Sequence, residues 1–168
     1  MVDDGYGVEY GPSICKEVLD SLCGRLIGSG SYRRVYECAI NNRWVVKIEK
    51  NFNNSFSNAE EYGVWEGAKE MKDSFYKNWL APCHFISPNG RVLIQSKTRQ
   101  ALPHEYPTEI PAWFTDMKLT NYGMIGKKFV CHDYGNNKLL DSGFVKRMRK
   151  ARWWSLQNEY ENRSVYSG

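Results

Sequence analysis

The feature that most constrains this chain is a series of three strand-sized segments between residues 26 and 50. Two tight turns separate these segments, one rich in glycine (Gly28–Gly30) and one formed by Asn41 and Asn42. An Asn-Asn pair between runs of β-branched and aromatic residues is typical of a hairpin. Because strands joined by such short turns pair antiparallel, the region predicts an antiparallel sheet.

Two other segments repeat apolar residues at the spacing of a helix. Residues 13–22 form the first, with Ser13 placed to cap it and Gly24 to end it. Residues 57–72 form the second, and Ser57 and Glu60 match a capping box at its start. We expect both helices to lie on one side of the sheet, which gives an α+β domain.

Two hairpins and a linker are predicted beyond the second helix. Residues 81–97 turn at Pro88-Asn89-Gly90, and residues 121–135 turn at Gly126-Lys127. Between them, three prolines in residues 98–111 predict a linker without regular structure.

Composition excludes several classes of protein. A chain of 168 residues with 42% hydrophobic and 25% charged residues fits a single globular domain. No run approaches the roughly 18 consecutive apolar residues of a membrane-spanning helix, so we expect no membrane partner. The five cysteines include no CxxC pair, which argues against a disulfide scaffold or zinc knuckle and predicts a cytoplasmic protein.

Positive charge is concentrated near the C-terminus. The net charge of the chain is +4. A single short segment holds five positive charges, on Lys146, Arg147, Arg149, Lys150 and Arg152. Residues 139–161 predict one basic and aromatic helix whose apolar face packs on the rest of the chain. Its cations either face solvent or contact nucleic acid or an acidic protein.

The glycine-rich turn is a candidate phosphate-binding loop. The sequence GSGSYRRV lies between two strands, whereas Rossmann and Walker loops lead from a strand into a helix. A glycine hairpin that covers nucleotide phosphates with backbone N–H groups fits this placement, and an ordinary tight turn is the alternative. Arg33 stands where such a loop carries its third glycine, and it would add a cation near the phosphates.

Lys47 and Glu61 are a candidate ion pair. Lys47 ends the apolar run Val45-Val46, and a buried lysine needs a partner because an unpaired ammonium is costly in an apolar interior. Glu61 shares a helix face with Trp65 and Ala68 and can supply this partner. Such a pair would hold the ammonium ready for a phosphate. The alternative is an edge-strand lysine that faces solvent.

Two acidic motifs flank the last predicted hairpin. The segment Asp116-Met117-Lys118-Leu119-Thr120-Asn121 precedes it, and Asp133-Tyr134-Gly135 ends it. Two carboxylates and an amide oxygen brought together by a hairpin make a site suited to Mg²⁺; otherwise these are ordinary polar turns. The histidines, which lack metal-ligand spacing and are predicted to be structural, are His84, His104 and His132.

In this order the motifs resemble the protein-kinase-like fold, in a miniature form like that of bacteriophage kinases and pseudokinases. GSGSYRRV resembles the glycine-rich loop, VVK the third-strand lysine motif, VLIQSK the strand before the hinge, DMKLTN the catalytic loop and DYG the metal-binding DFG. The resemblance implies a single domain over residues 1–168. It would have an antiparallel-sheet N-lobe with one main helix over about 1–97, and a strongly reduced C-lobe. That C-lobe would contain the linker, catalytic loop and metal-binding hairpin over 98–138 and the basic helix over 139–168.

The resemblance also implies roles for individual residues, with ATP and Mg²⁺ as cofactors. Asp116 would orient or deprotonate the acceptor hydroxyl, and Lys118 would steady the transferred phosphoryl group. Asn121 and Asp133 would hold Mg²⁺, and Glu61 would fix Lys47 against the inner phosphates. The residues expected to cover the nucleotide are Gly28, Ser29, Gly30, Ser31 and Val35. All of these precede residue 136, so we expect the site to be complete by Gly135.

Several departures from the kinase pattern leave two functions open. Phe114-Thr115 replaces the usual His-Arg, the segment between Lys97 and Asp116 is short, and no APE motif follows Gly135. One function is phosphoryl transfer to a host or phage protein in the cytoplasm. The other is a nucleotide-binding pseudokinase, or a binding-only protein, that docks on a host factor. Nucleic acid binding through the basic segment over residues 139–161, called the basic tail below, ranks third.

Overall fold

The fold is built on a five-stranded antiparallel sheet, seen in a computed structural model that describes residues 16–50, 56–135 and 146–154. The strands in chain order are β1 (Cys23–Ser29), β2 (Arg33–Cys38), β3 (Trp44–Glu49), β4 (Cys83–Ile86) and β5 (Val92–Ser96). Their order across the sheet is β1-β2-β3-β5-β4. The three strands and two turns expected between residues 26 and 50 are confirmed.

Strand β3 lies at the centre of this sheet and carries Lys47. Lys47 is in register with Val35 of β2 on one side and with Leu93 of β5 on the other. Neighbouring strands therefore cover both edges of β3, and the interpretation of Lys47 as an edge-strand lysine is wrong.

In the described residues two α-helices accompany the sheet, α1 (Lys16–Leu22) and α2 (Ser57–Glu70). Helix α2 begins where expected, but its N-cap is Phe56, which makes no side-chain cap hydrogen bond, so the predicted capping box is wrong. The predicted cap of α1 at Ser13 lies outside the described residues. Gly24 does not end α1, because the chain enters β1 directly after Leu22. Neither described helix has the length and apolar character that a membrane crossing needs.

The two helices pack on opposite faces of the sheet, which corrects the expectation of a single helical side. Leu19 of α1 joins a core cluster with Val46 and Ile48 of β3. Lys47, between those two residues, instead contacts Glu61 of α2. Because successive strand residues point to opposite faces, each face of β3 contacts a different helix.

Both predicted hairpins are confirmed. Strands β4 and β5 are joined through a turn in which Gly90 has φ of 74°. In the second hairpin β7 (Tyr122–Ile125) pairs with β8 (Lys128–Cys131), and Gly126 at its bend has φ of 60°. Both glycines thus adopt the left-handed backbone that residues with a side chain avoid.

The basic tail is extended rather than helical where the structure describes it. In residues 146–154, β9 (Met148–Lys150) pairs antiparallel with β6 (Glu109–Pro111); residues 139–145 and 155–161 of the predicted helix lie outside the described residues. Strand β6, preceded by a 3₁₀ turn at Pro103–Glu105, falls within the expected unstructured linker. Both errors have one cause, since a pairing across some forty residues leaves no local sequence pattern.

One core cluster joins α2, the sheet and the second hairpin. Aromatic side chains supply much of it, as expected for a small domain: the buried members are Val64, Trp65, Ala68, Tyr76, Leu80, Cys83, Leu93, Ile110, Trp113, Phe114, Met117, Tyr122, Cys131 and Tyr134. Trp153 of the tail packs against this cluster, with its ring centroid 4.9 Å from that of Tyr122.

Replacing Gly123 with alanine should destabilise the protein. A Cβ at this position would lie 2.5 Å from the carbonyl oxygen of Arg99, where β7 meets the linker. Overpacking of this kind typically costs about 1–3 kcal/mol. The matched control is Gly63→Ala in α2, where a Cβ meets nothing within 4 Å, and it should stabilise the helix by about 0.5–1 kcal/mol. Urea denaturation measures both, and a neutral Gly123→Ala would contradict the close approach.

Candidate functional site

The candidate site is a cleft of about 850 Å³ between the five-stranded sheet and the second hairpin. The glycine turn over residues 28–32 lines one wall of the cleft. Residues 95–101, which run from the end of β5 into the linker, line its back. Residues 118–122 and Asp133 line the remaining wall. The volume lies in the range of small-molecule pockets, roughly 300–1,000 Å³.

Lys47 and Glu61 form the predicted buried ion pair. Lys47 is 3% exposed and Glu61 is fully buried, and 2.5 Å separates Nζ of the lysine from Oε1 of the glutamate. Nζ also donates a hydrogen bond to the backbone oxygen of His132. Although it is buried, Lys47 reaches the cleft wall. The Lys47 ammonium is thus fixed from two sides at the wall of the cleft.

Glu61 has further partners that sequence reasoning missed. Nε2 of Gln95 donates to Oε1 at 2.8 Å, and Nη2 of Arg33 donates to Oε2 at 3.0 Å. Asn58, one helical turn before Glu61, accepts a hydrogen bond from Nη1 of Arg33. Gln95 carried a signal in the sequence, since it is a polar residue directly after the apolar run Val92-Leu93-Ile94. Asn58 carried none.

Arg33 lies inside this network rather than on the surface of the glycine turn. It is 9% exposed, and its Nη2 lies 2.5 Å from Oδ1 of Asp133 as well as against Glu61. Burial works against its positive charge, but the two carboxylates outweigh this and raise its pKa. Arg33, the cation expected near the phosphates, is therefore paired with Asp133, the candidate metal ligand, and with Glu61 of α2.

Asp133 keeps a charged carboxylate in the cleft. Burial alone would raise the pKa of this carboxyl, but the positive charges of Arg33 and Lys47 overcome burial and hold the pKa below its usual value. Half of the side chain is exposed. Asp133 is therefore ionised at neutral pH and accessible from the cleft.

The second hairpin places the backbone of Asn121 beside that of His132, the residue before Asp133. The His132 N–H donates to the Asn121 backbone oxygen at 2.9 Å, which places the two motifs at the open end of the β7–β8 hairpin. The Asn121 side chain donates to Asp116 Oδ2 at 2.8 Å, and its amide oxygen is the atom suited to a cation.

The donor chemistry fits Mg²⁺ only in part. One carboxylate and one amide oxygen are hard oxygen ligands, and Mg²⁺ often takes one or two protein ligands and completes its shell with phosphates and water. Among the described residues, no group of three or more His, Cys, Asp or Glu side chains could hold a metal ion. A cation bound here would depend on Asn121, Asp133 and the phosphates of a ligand.

Asp116 is held by its own loop. The Lys118 backbone N–H donates to Asp116 Oδ1 at 3.2 Å, and the Tyr122 hydroxyl donates to the Asp116 backbone oxygen at 2.8 Å. Lys118 and Asn121 line the cleft, whereas Asp116 is not one of the lining residues. These hydrogen bonds order the loop, and the Asp116 carboxylate is oriented toward Asn121.

The basic tail also holds this loop in place, although no described residue beyond Gly135 lines the cleft. The Leu119 N–H donates to the Trp154 oxygen at 2.9 Å, and the Trp154 N–H donates to the Met117 oxygen at 3.3 Å. The Arg149 guanidinium donates to the Phe114 oxygen at 2.5 Å. Sequence reasoning missed this support because it placed Arg149 on a solvated helix.

The glycine turn lies over the cleft as expected. Its predicted nucleotide-covering residues line the cleft, namely Gly28, Ser29, Gly30, Ser31 and Val35. The turn is closed by a hydrogen bond from the Gly30 N–H to the Arg33 oxygen at 2.9 Å, and Nζ of Lys50 donates to the Gly30 oxygen at 2.5 Å.

His132 has a structural role, as predicted. Its Nε2 lies 2.9 Å from the Thr120 backbone oxygen, which only accepts, so Nε2 carries the proton and Nδ1 accepts from the Thr98 hydroxyl at 2.8 Å. The ring thus joins the linker to the candidate catalytic loop. Burial, reinforced by the charge of Lys47, lowers the pKa of His132 to about 4.

Comparison with known proteins finds no match, either among models of protein families or among curated sequences. The resemblance to protein kinases is therefore a prediction from the order of the motifs in the sequence.

The neutral His132 ring should make stability depend on pH. Well above pH 6.5, the ordinary pKa of histidine, the ring is neutral in both folded and unfolded chains, and its contribution is fully present. As the pH falls toward 4, His132 binds a proton in the unfolded chain but stays neutral in the folded chain, and the free energy of unfolding decreases. Imidazole ¹⁵N shifts should show His132 neutral at pH 5. Protonation near pH 6.5 would contradict this arrangement, and His104→Gln, which alters an exposed ring, should leave the stability profile unchanged.

Proposed function

We propose that this chain is an ATP- and Mg²⁺-dependent phosphotransferase of miniature protein-kinase-like fold, acting on a protein substrate in the cytoplasm. The observation that carries the proposal is the buried Lys47–Glu61 pair beside the cleft, with a glycine turn on one wall and Asp133 on the other. A paired lysine directed to a cleft is the arrangement that binds phosphates in this fold.

The candidate residues divide the work between the two walls of the cleft. Lys47 binds the inner phosphates, and the glycine turn covers the nucleotide. Asn121 and Asp133 hold the metal ion, which neutralises charge on the phosphates.

The transfer step itself depends on Asp116 and Lys118. A hydroxyl oxygen of the acceptor forms a bond to the γ-phosphorus while the bond to the β-phosphate bridging oxygen breaks and leaves ADP. Asp116 accepts the hydroxyl proton, and Lys118 steadies the transferred group. Because catalytic hydrogen bonds often tighten only in the substrate complex, the present contact of Asp116 with Asn121 is compatible with this role.

Two observations favour a second candidate function, a nucleotide-binding pseudokinase that docks on a host factor. Asp116 is not among the residues that line the cleft, and the Asp133 carboxylate is already paired with Arg33. In such a protein the cleft would bind nucleotide without transfer. Nucleic acid is not part of either proposal, because Lys146 pairs with Asp73 and Arg149 donates to the Phe114 oxygen.

Nucleotide binding is tested by thermal melting with ATP and MgCl₂. At a ligand concentration one hundred times Kd, binding should stabilise the wild type by about 2.7 kcal/mol. Lys47→Met should abolish this stabilisation because the phosphates lose their ammonium partner. Lys69→Met is the matched control, since Lys69 is an exposed residue of α2 paired with Glu66, and it should respond to ATP as the wild type does. No shift in the wild type would contradict both candidate functions.

Phosphoryl transfer is tested separately with γ-labelled ATP and a host lysate. The wild type should label a protein, and Asp116→Asn should lose transfer while it keeps the ATP-induced stabilisation, because Asp116 acts on the acceptor and not on the nucleotide. If the wild type binds ATP but transfers no more label than Asp116→Asn, the pseudokinase function replaces the proposal.

A further inference from the structure

Arg33 connects the two walls of the cleft through one guanidinium group. Its Nη2 lies 3.0 Å from Oε2 of Glu61 and 2.5 Å from Oδ1 of Asp133, and its Nη1 lies 3.3 Å from Oδ1 of Asn58. The side chain is 10% exposed. A planar fork with several donors suits such a bridge, whereas a lysine would supply a single point charge.

The four side chains that direct contacts join at Arg33 carry equal numbers of positive and negative charges. Lys47 and Arg33 are the cations, and Glu61 and Asp133 are the anions. The buried Glu49, in register with Arg33, adds a further negative charge nearby. Without Arg33 this region would carry excess negative charge, which a bound cation would offset.

Arg33 and a metal ion would also use the same carboxylate, that of Asp133. The Asp133 carboxylate is the only acidic side chain among the predicted metal ligands, and its Oδ1 already accepts a close hydrogen bond from Arg33. Half of the Asp133 side chain is exposed, so a cation can approach it. The ion must then share the carboxylate with the guanidinium or displace it.

We infer that Arg33 is a positioning residue that acts as a built-in counter-ion: it holds Asp133 and Glu61 in place when no metal is bound, and it lowers the affinity of Asp133 for a divalent cation. The inference rests on the proposed function, because it takes Asp133 as the metal ligand. It predicts a cleft that is assembled before the metal arrives and that binds metal weakly.

The test compares Mn²⁺ binding to the full chain and its variants, measured as loss of the free-ion signal in electron paramagnetic resonance. Mn²⁺ alone is the probe because it takes the same carboxylate and amide oxygens as Mg²⁺. Arg33→Gln should bind Mn²⁺ roughly tenfold more tightly than the wild type, since a competing cation is removed while a hydrogen-bond donor to Glu61 remains.

The controls separate this role from a purely structural one. Arg34→Gln removes the same charge from the next residue of β2, whose side chain faces the other side of the sheet, and its Mn²⁺ affinity should match the wild type. Adding Asp133→Asn to Arg33→Gln should abolish the gain. Equal or weaker Mn²⁺ binding by Arg33→Gln, or no binding by either protein, would overturn the inference.

A second measurement covers the case in which Arg33→Gln does not fold. In EDTA, Asp133→Asn should lower the melting temperature, because Arg33 loses its charged partner. A carboxylate that served only as a metal ligand would leave the metal-free melting temperature unchanged or higher, and this result would overturn the inference. If both measurements hold but the wild type fails to bind ATP, the proposed function fails while the role of Arg33 stands.

Discussion

The structure depends on one fully buried carboxylate, that of Glu61. Each of its oxygens has charged or polar partners, Lys47 and Gln95 on Oε1 and Arg33 on Oε2. Burying an ion costs several kcal/mol unless its partners are in place. The three partners come from β3, β5 and β2, so the register of the central strands and the placement of α2 are set together. A slip of one residue in β3 would turn Lys47 to the other face and leave Glu61 without its main partner.

The same cluster connects the sheet to the second hairpin and so shapes the cleft. Arg33 reaches Asp133, and Lys47 reaches the backbone oxygen of His132. Gly135 approaches α2 closely, since a Cβ there would lie 3.1 Å from the Ser57 oxygen. Tyr134, fully buried, donates to the Ala81 oxygen at 2.8 Å. The segment after β8 is therefore held on three sides by the first half of the chain.

Sequence reasoning succeeded where the determining contacts are local or follow a period. The hairpins, the bounds of α2 and the pairing of Lys47 with Glu61 follow from turn residues and from the periods of strand and helix. It failed for β6 and β9, because nothing near Ile110 indicates that Arg149 will lie opposite to it. It also missed the role of Arg33, since its partner Asp133 lies one hundred residues further along the chain. The kinase-like function remains a prediction from the order of the motifs.

The two halves of the cleft are built by contacts of different range along the chain. The strands that carry Arg33 and Lys47 pair through a hairpin close in sequence, and Glu61 lies fourteen residues beyond Lys47. The loop around Asp116 instead depends on the tail, through Leu119 and Met117 bonded to Trp154 and through Arg149 bonded to Phe114. Pairing between distant segments carries a larger entropic cost of closure and forms later in folding. Damage to the tail should therefore disturb the loop around Asp116 before it disturbs the Lys47–Glu61 pair. The position of Asp116 thus depends on residues 146–154, whereas the Lys47–Glu61 pair depends on strands and a helix formed by the first hundred residues.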